Sequence, residues 1–203
     1  MPPEPFRPAL LLVDIQEDFC PPDGALAVPD GRAVIPIANA LLQLPFALKL
    51  ASKDHHPPAH ISFASRHPGA SPFVSSTTIA NPANPAETYT TRLWPDHCVA
   101  GTRGNALVPA LDAARVDRVV LKGTDARVEA YSAFGPPLRD PPLVEAESAL
   151  GASRVEGVCG GGGRAMRGGA EGWAGAVEEM ERAGVRVVRM DGEEVGWVRA
   201  LDG

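Results

Sequence analysis

Residues 9–13, ALLLV, are an unbroken apolar run that stops at the charged Asp14. A strand with one wet face alternates apolar and polar residues. A short run that is apolar at every position instead predicts a strand buried on both faces of a parallel sheet. Parallel neighbours need crossover connections. The chain supplies a candidate in Val34 to Leu44 (VIPIANALLQL), whose apolar residues fall at helical spacing and whose Pro36 is tolerable only near the first turn. Phe46 to Ala51 (FALKLA) then predicts the second strand, and Val116 to Leu121 (VDRVVL) the third, ending at Lys122. Ala174 to Ala183 predicts a helix closed by Gly184, followed by a terminal strand over Val185 to Met190. Strands alternating with helices imply an α/β fold with a mostly parallel sheet. We expect one domain over residues 1–203.

Two regions fall outside this alternation. Residues 57–98 are rich in proline, serine and asparagine without a sustained period, and are expected to be a long excursion rather than a regular element. Residues 151–172 are expected to be an irregular glycine-rich loop, since ten of the twenty-five residues from Gly151 to Gly175 are glycine and each is costly to order. No GK[ST] follows that run and no convincing strand precedes it, so it is not a phosphate-binding loop.

In open parallel sheets ligands gather beyond the carboxyl ends of the strands. Asp14, Asp54 and Lys122 all stand at such ends. The stretch SKDHHPPAH, residues 52–60, places three histidines and one aspartate within seven residues. Asp54 and His56 are two apart, and in an extended segment such side chains project to the same side. With His97 as a third ligand they make a carboxylate-plus-two-imidazole set suited to zinc, iron or manganese in a catalytic site. A histidine-rich polar turn before two prolines is the competing reading of the same residues. Asp14 and Lys122 together form an acid and base pair able to activate a thiol, because the thiolate is the nucleophile and needs a proton acceptor and a nearby positive charge. Phe19 and Trp94 read either as core residues or as a substrate clamp.

The net charge of −6 contains no basic cluster to neutralise a row of phosphates, so nucleic acid is not an expected partner. The apolar run Ala9 to Val13 is too short to span a bilayer or serve as a signal core, and no membrane is expected. Three cysteines, Cys20, Cys98 and Cys159, are unlike a secreted disulfide framework. Free thiols in an intracellular chain are the expectation, with the compartment left open.

Four strings in order, ALLLVDIQEDFCPPDGALAV, DHHPPAHISFASRHPG, TRLWPDHCVAGTRGNALVPAL and VVLKGTDARVEAYSAF, resemble the successive motifs of nicotinamidases in the isochorismatase-like cysteine hydrolase superfamily. The resemblance runs almost continuously from residue 9 to 134. It implies a single-domain, three-layer α/β fold with helices flanking the sheet. The implied reaction is hydrolysis of nicotinamide to nicotinate and ammonia through a cysteine thioester, feeding NAD salvage. Asp14 resembles the catalytic acid/base and Lys122 the second member of the triad. Asp54, His56 and His97 resemble the ligands of one divalent metal ion, zinc first, with iron or manganese as alternatives. His60 matches a histidine that ligates metal in some members, and His55 replaces the usual aromatic between the first two ligands. Phe19, Trp94 and Tyr131 match substrate-binding aromatic positions. The implied partner is the small-molecule substrate, and a homo-oligomer is compatible with the family.

The resemblance departs at the nucleophile. In the family this cysteine follows a hydrophobic strand in a pattern like GLATDYCV, and nothing here matches it. Cys159, in RVEGVCGGGGRAMRGGAEGW, is the late cysteine and takes the third place in the expected triad. After Lys122 we find one helix and one strand, so a strand-helix unit of roughly 30 residues is expected to be missing. Two readings follow: an amidase working through Cys159, or an inactive metal- or pyridine-binding remnant.

Overall fold

The computed structural model describes residues 7–133, 135–143, 158–160, 186–188 and 190–202. Strand β1, Ala9–Val13, and strand β2, Leu48–Asp54, pair in parallel and are joined through helix α1, Val34–Leu42. Pro36 is the third residue of α1, where no intrahelical N–H is required of it. Ile35, Ala38 and Leu42 line the buried stripe of the helix. They pack on Leu10, Leu12, Ile15, Ala51, Val108 and Leu111 to form the main core. Leu42 is wholly enclosed; a leucine in that state contributes about 1.5–3 kcal/mol over an exposed one.

Strand β5, Arg118–Lys122, adds to the other side of β2, giving a parallel sheet of order β1-β2-β5. The three predicted strands are thus present, with the ends of β2 and β5 shifted one to three residues toward the carboxyl side of their predicted spans. The shift has a consequence for the site. Asp54 and Lys122 are the last residues of their strands and lie directly opposite each other in register. Asp14 follows β1 immediately, in the left-handed region at φ 53°, with its N–H donated to the Ser52 carbonyl.

Residues 57–98 differ from the expected irregular excursion. They contain an antiparallel hairpin of β3, Ser76–Asn81, and β4, Asn84–Arg92. The hairpin pairs Thr77 with Thr91 and Ile79 with Tyr89, and its tight turn is held by Asn81 Oδ1 accepting from the Ala83 N–H. Ile79, Val128 and Leu138 form a second small core that pins it. The period of two was hidden because threonines fall on both faces of the strands and Ile79 and Tyr89 are the large apolar residues among mostly small or polar ones.

Beyond Lys122, two short strands, β6 (Val158–Gly160) and β7 (Arg186–Val188), pair in parallel. β7 lies within the predicted terminal strand. β6 corrects the expectation of one strand after Lys122, and over Val158–Gly160 it stands where an irregular loop was expected. A helix α2, Glu193–Arg199, was not anticipated. The predicted helix Ala174 to Ala183 and the rest of the glycine-rich stretch lie outside the described residues. Overall the chain is α/β with a mostly parallel sheet. Among the described residues no helix is long and apolar enough to cross a membrane.

Candidate functional site

The carboxyl ends of β1, β2 and β5 deliver Asp14, Asp54 and Lys122 to one point. The Lys122 ammonium sits between the two carboxylates, 2.9 Å from Asp14 Oδ2 and in closer contact with Asp54 Oδ1. All three are largely removed from water, Lys122 being 3% exposed. Ser52, on the same face of β2 as Asp54, donates its hydroxyl to Asp14 Oδ1 at 2.7 Å.

One cation shared by two carboxylates divides their proton affinities. Burial raises both. For Asp54 the pull of Lys122, with help from His56, outweighs burial and holds the carboxyl below its usual range. For Asp14 burial prevails over Lys122, and the neighbouring Asp54 charge adds to it, so its affinity for a proton is raised. Lys122 is driven up by the two carboxylates despite burial and stays an ammonium. Asp14 is therefore the member of the trio best placed to accept and return a proton.

The imidazoles of His56 and His97 flank Asp54. Each Nε2 lies 3.8 Å from Asp54 Oδ2. His56 Nδ1 is bound to the Gly123 carbonyl at 2.9 Å and His97 Nδ1 to the Pro95 carbonyl at 2.9 Å. A carbonyl accepts only, so each Nδ1 carries the proton and each Nε2 presents a lone pair toward the carboxylate. Burial pushes His56 down to about 4, so it is neutral at physiological pH, and His97 is lowered for the same reason. Gly123, at φ +66°, permits the close approach: a Cβ there would lie 2.3 Å from His56 Cε1.

Among the described residues, His56 Nε2 is the buried side-chain atom without a hydrogen-bond partner. Orphan buried acceptors are costly, and a cation removes the cost. Two ligand atoms in a tetrahedral site with bonds near 2.1 Å are about 3.4 Å apart, a few tenths of an ångström inside the 3.8 Å spacings found. Asp54, His56 and His97 thus fit a divalent metal ion.

The other two histidines of the SKDHHPPAH stretch behave differently. His60 is fully enclosed, but its Nε2 meets the Val128 carbonyl at 2.9 Å and its Nδ1 the Ser62 hydroxyl at 2.8 Å. Both nitrogens are occupied, which leaves it no lone pair for an ion despite its nearness to His56. His55 turns its Nδ1 to Asn105 Oδ1 at 3.1 Å.

Phe19 is half-buried and meets His97 edge-on at 6.0 Å between ring centroids. Trp94 Nε1 donates to the Tyr131 hydroxyl at 2.9 Å, and that hydroxyl also bonds Thr91 Oγ1. Tyr131 is 57% exposed. Cys20 and Cys98 are buried free thiols, and burial raises both, so neither is poised as a thiolate. Cys159 stands in β6 opposite Val187; its side chain lies outside the described residues.

Sequence reasoning missed Glu129. It is buried, and that burial together with the Asp54 charge pushes it up to about 7. The signal was its place two residues before Tyr131 in the VEAYSAF string, where a carboxyl inside an otherwise small or aromatic run stands out.

These shifts predict how the metal-free protein responds to acid. His56 at about 4, His60 at about 3 and the lowered His97 and Asp54 all bind protons more readily unfolded. Their stabilisation is fully present above pH ~6.5 for the histidines and is lost as pH falls through the folded values. The raised Asp14 and Glu129 act in the opposite sense but are fewer. Thermal melts from pH 7.5 to 4 should show the midpoint falling monotonically below pH ~6.5, more steeply below ~4.5, where an unfolded glutamate is protonated as well. A midpoint flat across that range would contradict the neutral buried imidazoles.

No family model matches the chain. It is 42% identical to the nicotinamidase of Escherichia coli (strain K12) over 129 residues, covering 62% of this chain and 56% of that protein. Across the curated nicotinamidases it matches, the chain spans 54% to 61% of their length. The structure of the yeast nicotinamidase Pnc1p superposes with a TM-score of 0.74 at 25% identity, over 89% of this chain and 98% of that one. A pyrazinamidase of Pyrococcus horikoshii in complex with zinc superposes with a TM-score of 0.58 at 29% identity, over 90% and 99% of the two chains. Sequence similarity and backbone course point the same way: over 62% of its length this chain is similar to a nicotinamidase, and its backbone follows that of another.

Proposed function

We propose that this chain is a metal-dependent amidohydrolase that converts nicotinamide to nicotinate and ammonia, a step in NAD salvage. The observation that carries the reading is the Lys122 ammonium lodged between the Asp14 and Asp54 carboxylates, with two imidazole lone pairs turned onto Asp54. The similarity to nicotinamidases supports the substrate class.

In this reading Asp14 removes the Cys159 thiol proton while Lys122 steadies the negative charge, and the thiolate attacks the carboxamide carbon. Asp14 then returns the proton to the amide nitrogen, the C–N bond breaks and ammonia leaves. Water, deprotonated by the same carboxylate, attacks the thioester; the C–S bond breaks, the sulfur regains its proton and nicotinate is released. A divalent ion held by Asp54, His56 and His97, with zinc the first candidate, would bind and orient the pyridine nitrogen. Phe19, Trp94 and Tyr131 flank the ring, with Tyr131 set against Trp94 by the hydrogen bond between them.

The test is ammonia release from nicotinamide by the zinc-loaded protein. Cys159→Ala should abolish it, while Cys20→Ala should leave it intact, because Cys20 packs in the main core. Nicotinamide bound without ammonia release would replace the enzyme with an inactive binding protein. Turnover that survives Cys159→Ala would remove that residue from the mechanism.

A further inference from the structure

The ligand side chains can meet only if their backbone segments are held together, and the ladder of β2 ends at Asp54 itself. Two buried amides take over there. Gln16, 0% exposed, accepts the Asp54 N–H at Oε1 (2.8 Å) and donates from Nε2 to the Asp54 carbonyl (2.9 Å) and the Asn105 carbonyl (3.0 Å). Asn105, 4% exposed, donates from Nδ2 to that same Asp54 carbonyl (2.6 Å) and to the Cys98 carbonyl (3.0 Å). The Cys98 carbonyl also receives the His56 N–H at 3.1 Å. Two carbonyl oxygens therefore gather the peptides of all three ligand segments. Facing two acceptors, Asn105 can present only its NH2 group to them, which leaves Oδ1 for His55 Nδ1. His55 is thereby held to Asn105.

We propose that Gln16 and Asn105 are positioning residues of the metal site, a two-amide clamp that fixes the Asp54 peptide and ties it to the His97–Cys98 segment. Neither residue offers an atom to the ion; both act through backbone. Backbone pairing does part of this, since the His56 and Ala100 N–H groups are donated to the Cys98 and His56 carbonyls. The Asp54 peptide faces the side of β2 where β1 has already ended, and its N–H and carbonyl take the two amides as partners instead of a strand. Cys98, at φ 46°, is in the left-handed region, and its N–H is taken by Asp18 Oδ2 at 2.6 Å. The His97 end of the clamp is thus held from both sides.

The inference rests on the metal-binding reading, and its test does not use turnover. Gln16→Glu and Asn105→Asp keep size and one acceptor but replace the donor group with oxygen facing carbonyl oxygen. Zinc affinity of the folded, metal-free protein would be measured by chelator competition, with the visible spectrum of the cobalt-loaded protein as a second readout. Each variant should bind zinc about 10- to 100-fold more weakly and shift the cobalt bands. Asn39→Asp disturbs a comparable amide-to-carbonyl bond, to Ala110 on the far side of α1, and should change neither. Lowered melting with unchanged zinc affinity and unchanged bands in both variants would overturn the clamp. No zinc binding by the unaltered protein would overturn both this inference and the metal site. An unaltered protein that binds zinc but releases no ammonia would overturn the amidase reading and leave the clamp standing.

Discussion

Replacing Lys122 with methionine is expected to lower the stability of the metal-free protein by about 3–5 kcal/mol, the usual effect of stripping one partner from a buried ion cluster. For a chain of this size that is a fall in melting midpoint on the order of 10 °C. The length and packing of the side chain are largely kept, so the loss reads charge. Without the ammonium, Asp14 and Asp54 would be two neighbouring buried carboxylates with no cation between them, and one would take up a proton. The double variant Lys122→Met, Asp14→Asn removes one of those charges and should recover part of the midpoint. Circular dichroism melts of the single and double variants check both statements. A single variant that melts with the unaltered protein would mean that Lys122 is solvated in the native state.

The largest effect on turnover is expected from Asp14→Asn. Asparagine keeps the shape and can still meet Ser52 and Lys122, but it cannot carry a proton between a thiol, an amide nitrogen and a water. Loss of a positioned general acid and base lowers rates by about 10²- to 10⁴-fold. In the proposed mechanism the same carboxylate serves in every proton transfer, so the upper end is expected in kcat. Zinc affinity should hold, since His56 and His97 keep their carbonyl partners and Lys122 still neutralises Asp54. Ammonia release and chelator competition on the same preparation measure the two quantities. A kcat within tenfold of the unaltered protein would move the acid and base role to another residue.

Much of the framework was legible in the sequence because its signals are local. An apolar run closed by a charge marks β1, helical spacing marks α1, and both depend on residues a few positions apart. The hairpin was not legible, because Thr77, Thr78, Thr88, Thr90 and Thr91 present the same side chain to both faces and only burial separates them. β6 was missed for a related reason: a strand of three residues is too short to show any period.

At the site, the order of residues along the chain set the chemistry on offer. A carboxylate stands at the end of each of two strands, one of them opening a histidine-rich stretch, and an amine at the end of a third. Which imidazole is free depends on contacts that exist only after folding. His55, His56 and His60 are interchangeable as letters, and each becomes something different through a partner far along the chain. His56 gives its Nδ1 to the Gly123 carbonyl and keeps Nε2 open, His60 spends both nitrogens on Ser62 and Val128, and His55 turns to Asn105. A nitrogen can ligate only with a lone pair no other group has claimed, and those claims are made by backbone that folding alone brings into reach.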